Sequence, residues 1–266
     1  IFRALRTIPV MLDFARDMEE VCPDAWFLNY TNPMAMLTAA MLRGSGIKTV
    51  GLCHSVQVCA QHLLEGLNMP YDDLVQGKIA GINHQAWLLK IEDKAGKDLY
   101  PEIKRRSLSG EYTEKMAWDL VRHDIMHRFG YYNTESSEHT AEDNPYYIKA
   151  RYPELIERFK IPLDEYPRRC VNQIAGWKEL REKVTAHTVE HEISHEFGMP
   201  IINAYINDSA YRIHGNVLNT GLITNLPENA CVEVPCLIDG NGVNPCFVGE
   251  LPEQCAALNR TNINVQ

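Results

Sequence analysis

A cysteine and a histidine each follow a short apolar run in this sequence. Cys53 comes after Val50-Gly51-Leu52, and His84 comes after Ala80-Gly81-Ile82-Asn83. A thiolate and an imidazole suit a borderline divalent metal ion, and two protein ligands leave positions open for substrate and water. Their separation along the chain matches no metal-binding motif. On spacing alone, a core cysteine and a hydrogen-bonded buried histidine are therefore favoured.

A second pattern, His191-Glu192-Ile193-Ser194-His195, fits the zinc-protease motif H-E-x-x-H. On a helix His191 and His195 would share one face and could bind zinc, with Glu192 as the base. The longer form of the motif requires a third ligand at position 201, where Ile201 stands, and the nearby glycine and proline are typical of a helix end. A zinc metalloprotease is thus an alternative that the sequence disfavours.

The segment from Gly130 to His139 is dense in groups that transfer protons or bind hydroxyls. Tyr131 or its neighbour Tyr132 could act as a base only if a nearby cation lowered the tyrosine pKa of about 10. The plainer interpretation is a loop that leads into a helix, with N-cap candidates at Thr134, Ser136 and Ser137.

Apolar spacing predicts the elements that position these residues: helices over 4–20 and 34–43, alternating with buried strands over 25–30 and 49–53. This alternation is typical of a parallel sheet covered by helices, in which ligands bind at the carboxyl ends of the strands. Those ends carry Thr31-Asn32-Pro33 and Cys53-His54. Beyond residue 70 the pattern changes, with strands over 77–91 and 97–100 and a polar helix over 172–197. We place a domain boundary there.

Composition excludes several classes of protein. The 266 residues carry a formal net charge of −9, and no basic run exceeds Lys104-Arg105-Arg106, which disfavours nucleic-acid and anionic-membrane partners. No segment reaches the roughly 18 to 20 apolar residues of a membrane span. The eight cysteines form no C-x-x-C pair and no secretion signal is visible, which predicts reduced thiols in a cytoplasmic protein. The start at Ile1 without an initiator Met predicts an internal fragment of a longer chain.

Several segments together resemble glycoside hydrolase family 4. They are Trp-Phe-Leu-Asn-Tyr-Thr-Asn-Pro-Met-Ala-Met-Leu-Thr at 26–38, Val-Gly-Leu-Cys-His-Ser-Val-Gln at 50–57 and Gly-Ile-Asn-His-Gln-Ala-Trp-Leu at 81–88. Phe-Gly-Tyr-Tyr-Asn-Thr-Glu-Ser-Ser-Glu-His at 129–139 and the segment 211–245 resemble the α-galactosidase branch of that family most closely. The resemblance covers essentially the whole chain in the same order.

The resemblance implies an α/β fold in two parts. Residues 1–70 would form the C-terminal part of a Rossmann-like, NAD-binding parallel sheet whose N-terminal strands are missing. Residues 71–266 would form a catalytic and dimerisation α+β domain of the lactate/malate dehydrogenase C-terminal type, truncated at its C-terminus. The expected assembly is a dimer or a tetramer.

The resemblance also implies an activity, namely hydrolysis of an α-galactoside with NAD and Mn²⁺ as cofactors. The family is an exception to two-carboxylate glycosidase chemistry. The sugar is oxidised at C3, a base removes the C2 proton, the aglycone leaves from C1, and water addition and re-reduction follow. An α-glucosidase or α-galacturonidase of the same family is an alternative, and a non-catalytic dehydrogenase-like module is another.

By position, the resemblance makes Cys53 and His84 the metal ligands and Tyr131 the base at C2, with Tyr132 as the fallback. Asn32 would lie at a strand end between the nicotinamide and the sugar. The glycine-rich dinucleotide turn Gly-x-Gly-x-x-Gly does not occur in the sequence.

The acid that protonates the leaving group is left open among three residues. His54 occupies the position where some phospho-α-glucosidase relatives carry an aspartate acid, and this departure argues against a phosphorylated substrate. His54 itself could serve as the acid, and so could Glu135 or Glu138.

Overall fold

Two β-sheets with surrounding helices make up the part of the chain that the computed structural model describes, residues 1–72, 75–186, 188 and 196–265. The strands are β1 (Trp26–Asn29), β2 (Lys48–Gly51), β3 (Gln76–Ala80), β4 (Trp87–Glu92), β5 (Tyr132–Asn133), β6 (Tyr211–Leu218), β7 (Cys231–Asp239) and β8 (Gly242–Pro245). The α-helices are α1 (Phe2–Val21), α2 (Met34–Gly44), α3 (Ser55–Gly66), α4 (Tyr100–Ser109), α5 (Leu120–Phe129), α6 (Ser137–Glu142), α7 (Glu154–Arg158), α8 (Glu165–Thr185), α9 (Gly198–Asn207) and α10 (Glu253–Ile263). A 3₁₀ helix covers Glu114–Trp118.

The larger sheet has the strand order β1-β2-β6-β7-β8. Strands β1 and β2 run parallel, with Asn29 opposite Gly51, and the crossover between them is α2. Strand β6 joins β2 in the antiparallel direction through Asn216 opposite Gly51. The mixed sheet with its helices is an α/β fold, as predicted. It pairs strands from both sides of residue 70, and the domain boundary placed there stays a prediction.

The smaller sheet has the order β3-β4-β5 and is antiparallel throughout. An isolated bridge between Gly81, just after β3, and Glu233 in β7 connects it to the larger sheet. The two sheets therefore meet where β3 ends.

Separate hydrophobic clusters hold the two sheets. Val50, Val232 and Val234 belong to a cluster under the larger sheet, and Leu64 and Leu88 belong to one between α3 and the smaller sheet; all five are fully buried. Burial of each such side chain contributes about 1.5–3 kcal/mol. The strand ends that lead to Cys53 and His84 therefore start from rigid elements.

The first two helices and the first two strands lie within two residues of their predicted bounds. The predicted strand over 97–100 is wrong: Asp98 makes only a bridge to Glu92, and its Oδ1 accepts a hydrogen bond from the Tyr100 N–H, which opens α4. The helix predicted over 172–197 covers Glu165–Thr185 in the structure, so it begins and ends earlier than predicted. Pro167 lies in its first turn, where proline is tolerated.

Among the described residues, no helix is both long and apolar enough to cross a membrane. The predicted zinc ligands His191 and His195 lie outside the described residues.

Candidate functional site

Two parallel strands end side by side, and the segments that follow them carry Asn32 and Cys53. Strand β1 ends at Asn29 opposite Gly51, and the Leu52 N–H donates to the Asn29 carbonyl at 2.8 Å. Cys53 then precedes α3, so its side chain starts from the carboxyl edge of the sheet, where ligands collect in α/β folds.

His84 lies in the tight turn between β3 and β4. The Gln85 N–H donates to the Ile82 carbonyl at 2.9 Å, and His84 has a φ of 66°, in the left-handed region that a non-glycine residue adopts uncommonly. Such a backbone is typical of functional turns that the surrounding structure holds in place. The turn is held by Gly81, which bonds to the β7 backbone.

Glu135, in the loop after β5, joins these two residues. Its Oε2 lies 3.3 Å from His84 Nε2, 3.9 Å from Cys53 Sγ and 2.8 Å from the Ser55 hydroxyl, which donates to it. One ligand atom from each of Cys53, His84 and Glu135 lies within 4.8 Å of the others. A sulfur, a nitrogen and an oxygen donor at this separation fit one divalent metal ion.

The protonation of this cluster also fits a cation. Burial, together with the Glu233 and Glu135 carboxylates, raises the pKa of Cys53 to about 12, so the thiol stays protonated without a positive charge nearby. Burial opposes ionisation of Glu135, but His84, the Ser136 N–H and the Ser55 hydroxyl hold its pKa below the ordinary value. A divalent ion would favour the thiolate and displace the thiol proton.

Burial lowers the pKa of His84, and the Glu135 carboxylate opposes this effect. The imidazole is therefore neutral near pH 7, which is the form that binds a metal ion. His139 stacks on the His84 ring with centroids 5.2 Å apart and an interplanar angle of 10°. This stacking restrains the orientation of the His84 ring.

A cavity of about 580 Å³ opens beside the cluster. Its lining includes Asn32, His84, His139 and, from α8, Arg169. The Met34 N–H donates to Asn32 Oδ1 at 3.2 Å, which leaves the Asn32 amide Nδ2 as a hydrogen-bond donor. The cavity thus joins the strand end at Asn32 to the metal-binding cluster and has room for a small ligand.

His54 follows Cys53 but its side chain is bound elsewhere. Its Nε2 lies 2.6 Å from Glu196 Oε2, and its ring stacks on Tyr30 with centroids 5.1 Å apart. The side chain is 66% exposed. The structure therefore does not bring His54 into the three-residue cluster.

The two adjacent tyrosines occupy different surroundings. Tyr131 is half-buried, and its ring packs edge-on against Tyr100 with centroids 6.0 Å apart. Tyr132 is fully buried, its hydroxyl donates to Asp119, and the Arg122 guanidinium lies 4.6 Å from its ring centroid. Burial raises the pKa of Tyr132 well above its ordinary value.

Glu138 accepts a 2.6 Å hydrogen bond from Arg169 Nη2. The predicted N-cap at Ser136 is confirmed, since its hydroxyl accepts from the His139 N–H at 3.3 Å. Sequence reasoning did not identify Ser55, whose only signal is its place two residues after Cys53, nor Glu233, which lies inside an ordinary strand pattern.

A cluster of potential metal ligands beside a cavity at the strand ends of an α/β sheet is the kind of site that metal-assisted enzymes use. The model of the family 4 glycosyl hydrolases matches residues 1–69, and the model of the C-terminal domain of that family matches residues 79–266. The chain belongs to the family 4 glycosyl hydrolases.

Two curated relatives are named α-galactosidases. The Bacillus subtilis protein is 60% identical over 267 residues, which cover 100% of this chain and 61% of that protein. The Rhizobium meliloti protein is 36% identical over 277 residues, which cover 98% of this chain and 55% of that protein. The chain therefore spans less than two thirds of either relative.

Solved structures share the fold. The crystal structure of lplD from Bacillus subtilis matches with a TM-score of 0.85 at 27% identity, over 98% of this chain and 64% of that one. A 6-phospho-α-glucosidase from gut microorganisms, in complex with NAD and Mn²⁺, matches at 0.73 and 22% identity, over 98% and 61%. A lactate dehydrogenase from Eimeria maxima matches at 0.54 and 15% identity, over 97% and 65%.

Proposed function

We propose that the protein hydrolyses α-galactosides, with NAD as the oxidant at C3 of the sugar and Mn²⁺ as the metal ion. The convergence of Cys53, His84 and Glu135 beside the cavity carries this proposal. The two curated α-galactosidases support the substrate, and the structural relative in complex with NAD and Mn²⁺ supports the cofactors. Because the sequence has no Gly-x-Gly-x-x-Gly turn, no residue of this chain is assigned to the NAD pyrophosphate.

Cys53 Sγ, His84 Nε2 and a Glu135 oxygen would hold the metal ion, which supplies a Lewis acid that polarises a sugar carbonyl and stabilises the neighbouring negative charge. The Ser55 hydroxyl and the Ser136 N–H, at 2.8 and 2.9 Å from Glu135 oxygens, orient that carboxylate and keep it ionised. Glu135 therefore fits the role of a ligand better than that of the leaving-group acid.

Asn32 is the proposed substrate-binding residue. With its Oδ1 occupied by the Met34 N–H, it offers Nδ2 as a donor at the cavity wall. A sugar hydroxyl is a suitable acceptor for that amide. The contact would orient the ring between the strand end and the metal-binding cluster.

Tyr131 is the proposed base for the C2 proton. Tyr132 is a poor substitute because its hydroxyl is buried and already donates to Asp119. To act as the base, a tyrosine must present its phenolate oxygen to the C2 proton.

His54 is the proposed leaving-group acid. Glu138 is paired with Arg169, and Glu135 is ionised, so neither fits a proton donor as well. The exposed His54 imidazole keeps access to solvent protons, and Glu196 orients its ring.

The decisive experiment is hydrolysis of a nitrophenyl α-galactoside in D₂O by the purified protein at its full natural length, with and without NAD and Mn²⁺. We expect cleavage to require both cofactors and deuterium to enter C2 of the galactose, read by NMR, because the mechanism exchanges that proton. Cleavage without deuterium at C2 would contradict the mechanism. Faster cleavage of the matching glucoside or galacturonide would change the assigned substrate to that sugar and keep the family mechanism.

Tyr131→Phe tests the base in the same assay. It should lower the rate of C2 exchange by about 10²–10⁴-fold, the usual contribution of acid–base catalysis. Tyr112→Phe, at an exposed tyrosine, is the matched control and should leave the exchange unchanged. Equal exchange in Tyr131→Phe and the unsubstituted protein would contradict the assignment.

We further propose a homo-oligomer, a dimer or a tetramer, in the cytoplasm. Helix α8 buries none of its residues and exposes Tyr166, Ile174 and Trp177 by 60% or more, so it has an apolar face that a second copy would cover. The eight cysteines are free, in keeping with a reducing compartment. Sedimentation analysis measures the oligomeric state.

A further inference from the structure

Glu233 is a buried carboxyl in the middle of β7. Its side chain is 0% exposed, and its carboxyl group lies near the Asn216 and Asn83 amides and the Glu135 carboxylate. None of these three neighbours is a cation. An acidic side chain in such a place is costly unless its hydrogen bonds are needed.

One set of bonds connects Glu233 to the segment that carries Cys53. Asn216 Nδ2 donates to Glu233 Oε1 at 2.9 Å and to the Gly51 carbonyl at 3.3 Å. Gly51 ends β2 two residues before Cys53. The amide of Asn216 thus joins the carboxyl of Glu233 to the start of the Cys53 segment.

A second set connects Glu233 to the turn that carries His84. The Gly81 N–H donates to the Glu233 carbonyl at 3.0 Å, and the Glu233 N–H donates to the Gly81 carbonyl at 2.8 Å. The side-chain amide of Asn83, next to His84, lies near the Glu233 carboxyl, although no hydrogen bond joins the two. Glu233 Oε2 and Asn83 Nδ2 are both buried and unpaired, one an acceptor and the other a donor.

We propose that Glu233 is a positioning residue for the metal centre, because its carboxyl and backbone hold the Cys53 segment and the His84 turn at the separation that one ion requires. The inference rests on the proposed function to the extent that Cys53 and His84 bind a divalent ion. Glu233 itself is not one of the three residues whose ligand atoms lie together. Groups that orient metal ligands in this way commonly change metal affinity about 10–100-fold when removed.

Glu233→Leu and Glu233→Gln separate this role from general packing. Leucine removes both acceptor oxygens. Glutamine keeps Oε1 as an acceptor for Asn216 and offers an amide donor to Asn216 Oδ1, which is buried and unpaired. Asn219→Leu is the control, since Asn219 is a buried residue of the same region whose side chain bonds the backbone of the 223–227 loop.

The measurement uses Co²⁺ as the probe, without NAD or substrate, on the purified protein at its full natural length. Calorimetry gives the Co²⁺ affinity, and the thiolate-to-cobalt absorption band reports whether Cys53 is a ligand. We expect Glu233→Leu to weaken Co²⁺ binding about 10–100-fold and to diminish the band. Glu233→Gln should restore binding to within about threefold, and Asn219→Leu should lower thermal stability while the band persists.

A Glu233→Leu protein with the affinity and band of the unsubstituted protein overturns the positioning role alone. If the unsubstituted protein shows no thiolate band, the metal centre of the proposed function fails, and this inference fails with it. Should Glu233→Leu not fold, Asn216→Ala removes the amide that joins the Glu233 carboxyl to the Gly51 carbonyl. We then expect about tenfold weaker Co²⁺ binding, and unchanged affinity in Asn216→Ala overturns the proposal.

Discussion

Without a cation, the cluster holds a protonated Cys53 thiol, a neutral His84 imidazole and an ionised Glu135 carboxylate. Burial and two carboxylates keep Cys53 protonated, whereas Ser55, the Ser136 N–H and His84 keep Glu135 ionised. A divalent ion would favour the Cys53 thiolate beside the Glu135 carboxylate, since it stabilises both anions. Metal binding should therefore release a proton, and the metal-bound state needs a reduced Cys53.

Cys53→Ser tests this assignment at the residue scale. A neutral hydroxyl replaces an anionic thiolate, so the site loses one negative charge and we expect the Mn²⁺ affinity to fall by about 10–100-fold. Titration followed by electron paramagnetic resonance measures it. Cys246→Ser, at an exposed cysteine, is the matched control and should bind as the unsubstituted protein does. Equal affinities in both variants would remove Cys53 from the ligand set.

At the scale of elements, the position of Cys53 depends on how closely β2 lies against its neighbours. Gly51, the last residue of β2, faces α2 on one side and β6 on the other. A Cβ at this position would lie 2.5 Å from Thr38 Oγ1 and 2.8 Å from Asn216 Cβ. Only glycine allows this approach without displacing one of the two elements.

Gly51→Ala should therefore lower the free energy of unfolding by about 1–3 kcal/mol, the usual cost of overpacking a core. Gly176→Ala in α8 is the control, because its Cβ would enter open space. Alanine at that helix position should stabilise by about 0.5–1 kcal/mol. Urea unfolding measures both changes. An unchanged free energy of unfolding in Gly51→Ala would show that the neighbours of Gly51 move aside without an energetic cost.

At the scale of the whole molecule, the candidate site lies where two sheets meet. Cys53 extends from the larger sheet, whereas His84 and Glu135 extend from the smaller one. A metal ion bound between the two sheets would bind the folded state and not the unfolded chain, so its affinity is linked to global stability. An ion at 100 times its dissociation constant adds about 2.7 kcal/mol to the free energy of unfolding.

Global stability should also depend on pH through buried histidines. His123 is 5% exposed, and burial, together with Arg122 and His127, lowers its pKa to about 4 despite Asp119. The His123 imidazole takes up a proton below about pH 6.5 in the unfolded chain but only near pH 4 in the folded chain. The neutral imidazole therefore contributes stability above about pH 6.5, and this contribution is lost as the pH falls from 6.5 to 4.

The full shift corresponds to about 3 kcal/mol. We expect the free energy of unfolding, measured with metal absent, to fall more steeply from pH 7 to pH 4 in the unsubstituted protein than in His123→Gln. Parallel curves for the two proteins would show that His123 does not contribute to the acid sensitivity.

The sequence by itself determined the family and the βαβ rhythm of the first 53 residues, and its resemblance to the family predicts Cys53 and His84 as metal ligands. These depend on short-range signals: helical and strand periodicity, turn residues and ordered motifs. The prediction of a strand over 97–100 used the same short-range signals and is wrong. Asp98 accepts a local hydrogen bond at the start of α4, and apolar periodicity gives no sign of such a bond.

The tertiary structure alone decided which distant side chains meet. It brought Glu135 and Ser55 to Cys53, gave Tyr132 a buried partner, and directed His54 to Glu196. It also bonded Glu233 to Asn216 through its side chain and to Gly81 through its backbone. These contacts depend on how β6, β7 and β5 pair with strands far away in the chain. That pairing follows from packing of whole faces, and no local pattern encodes it.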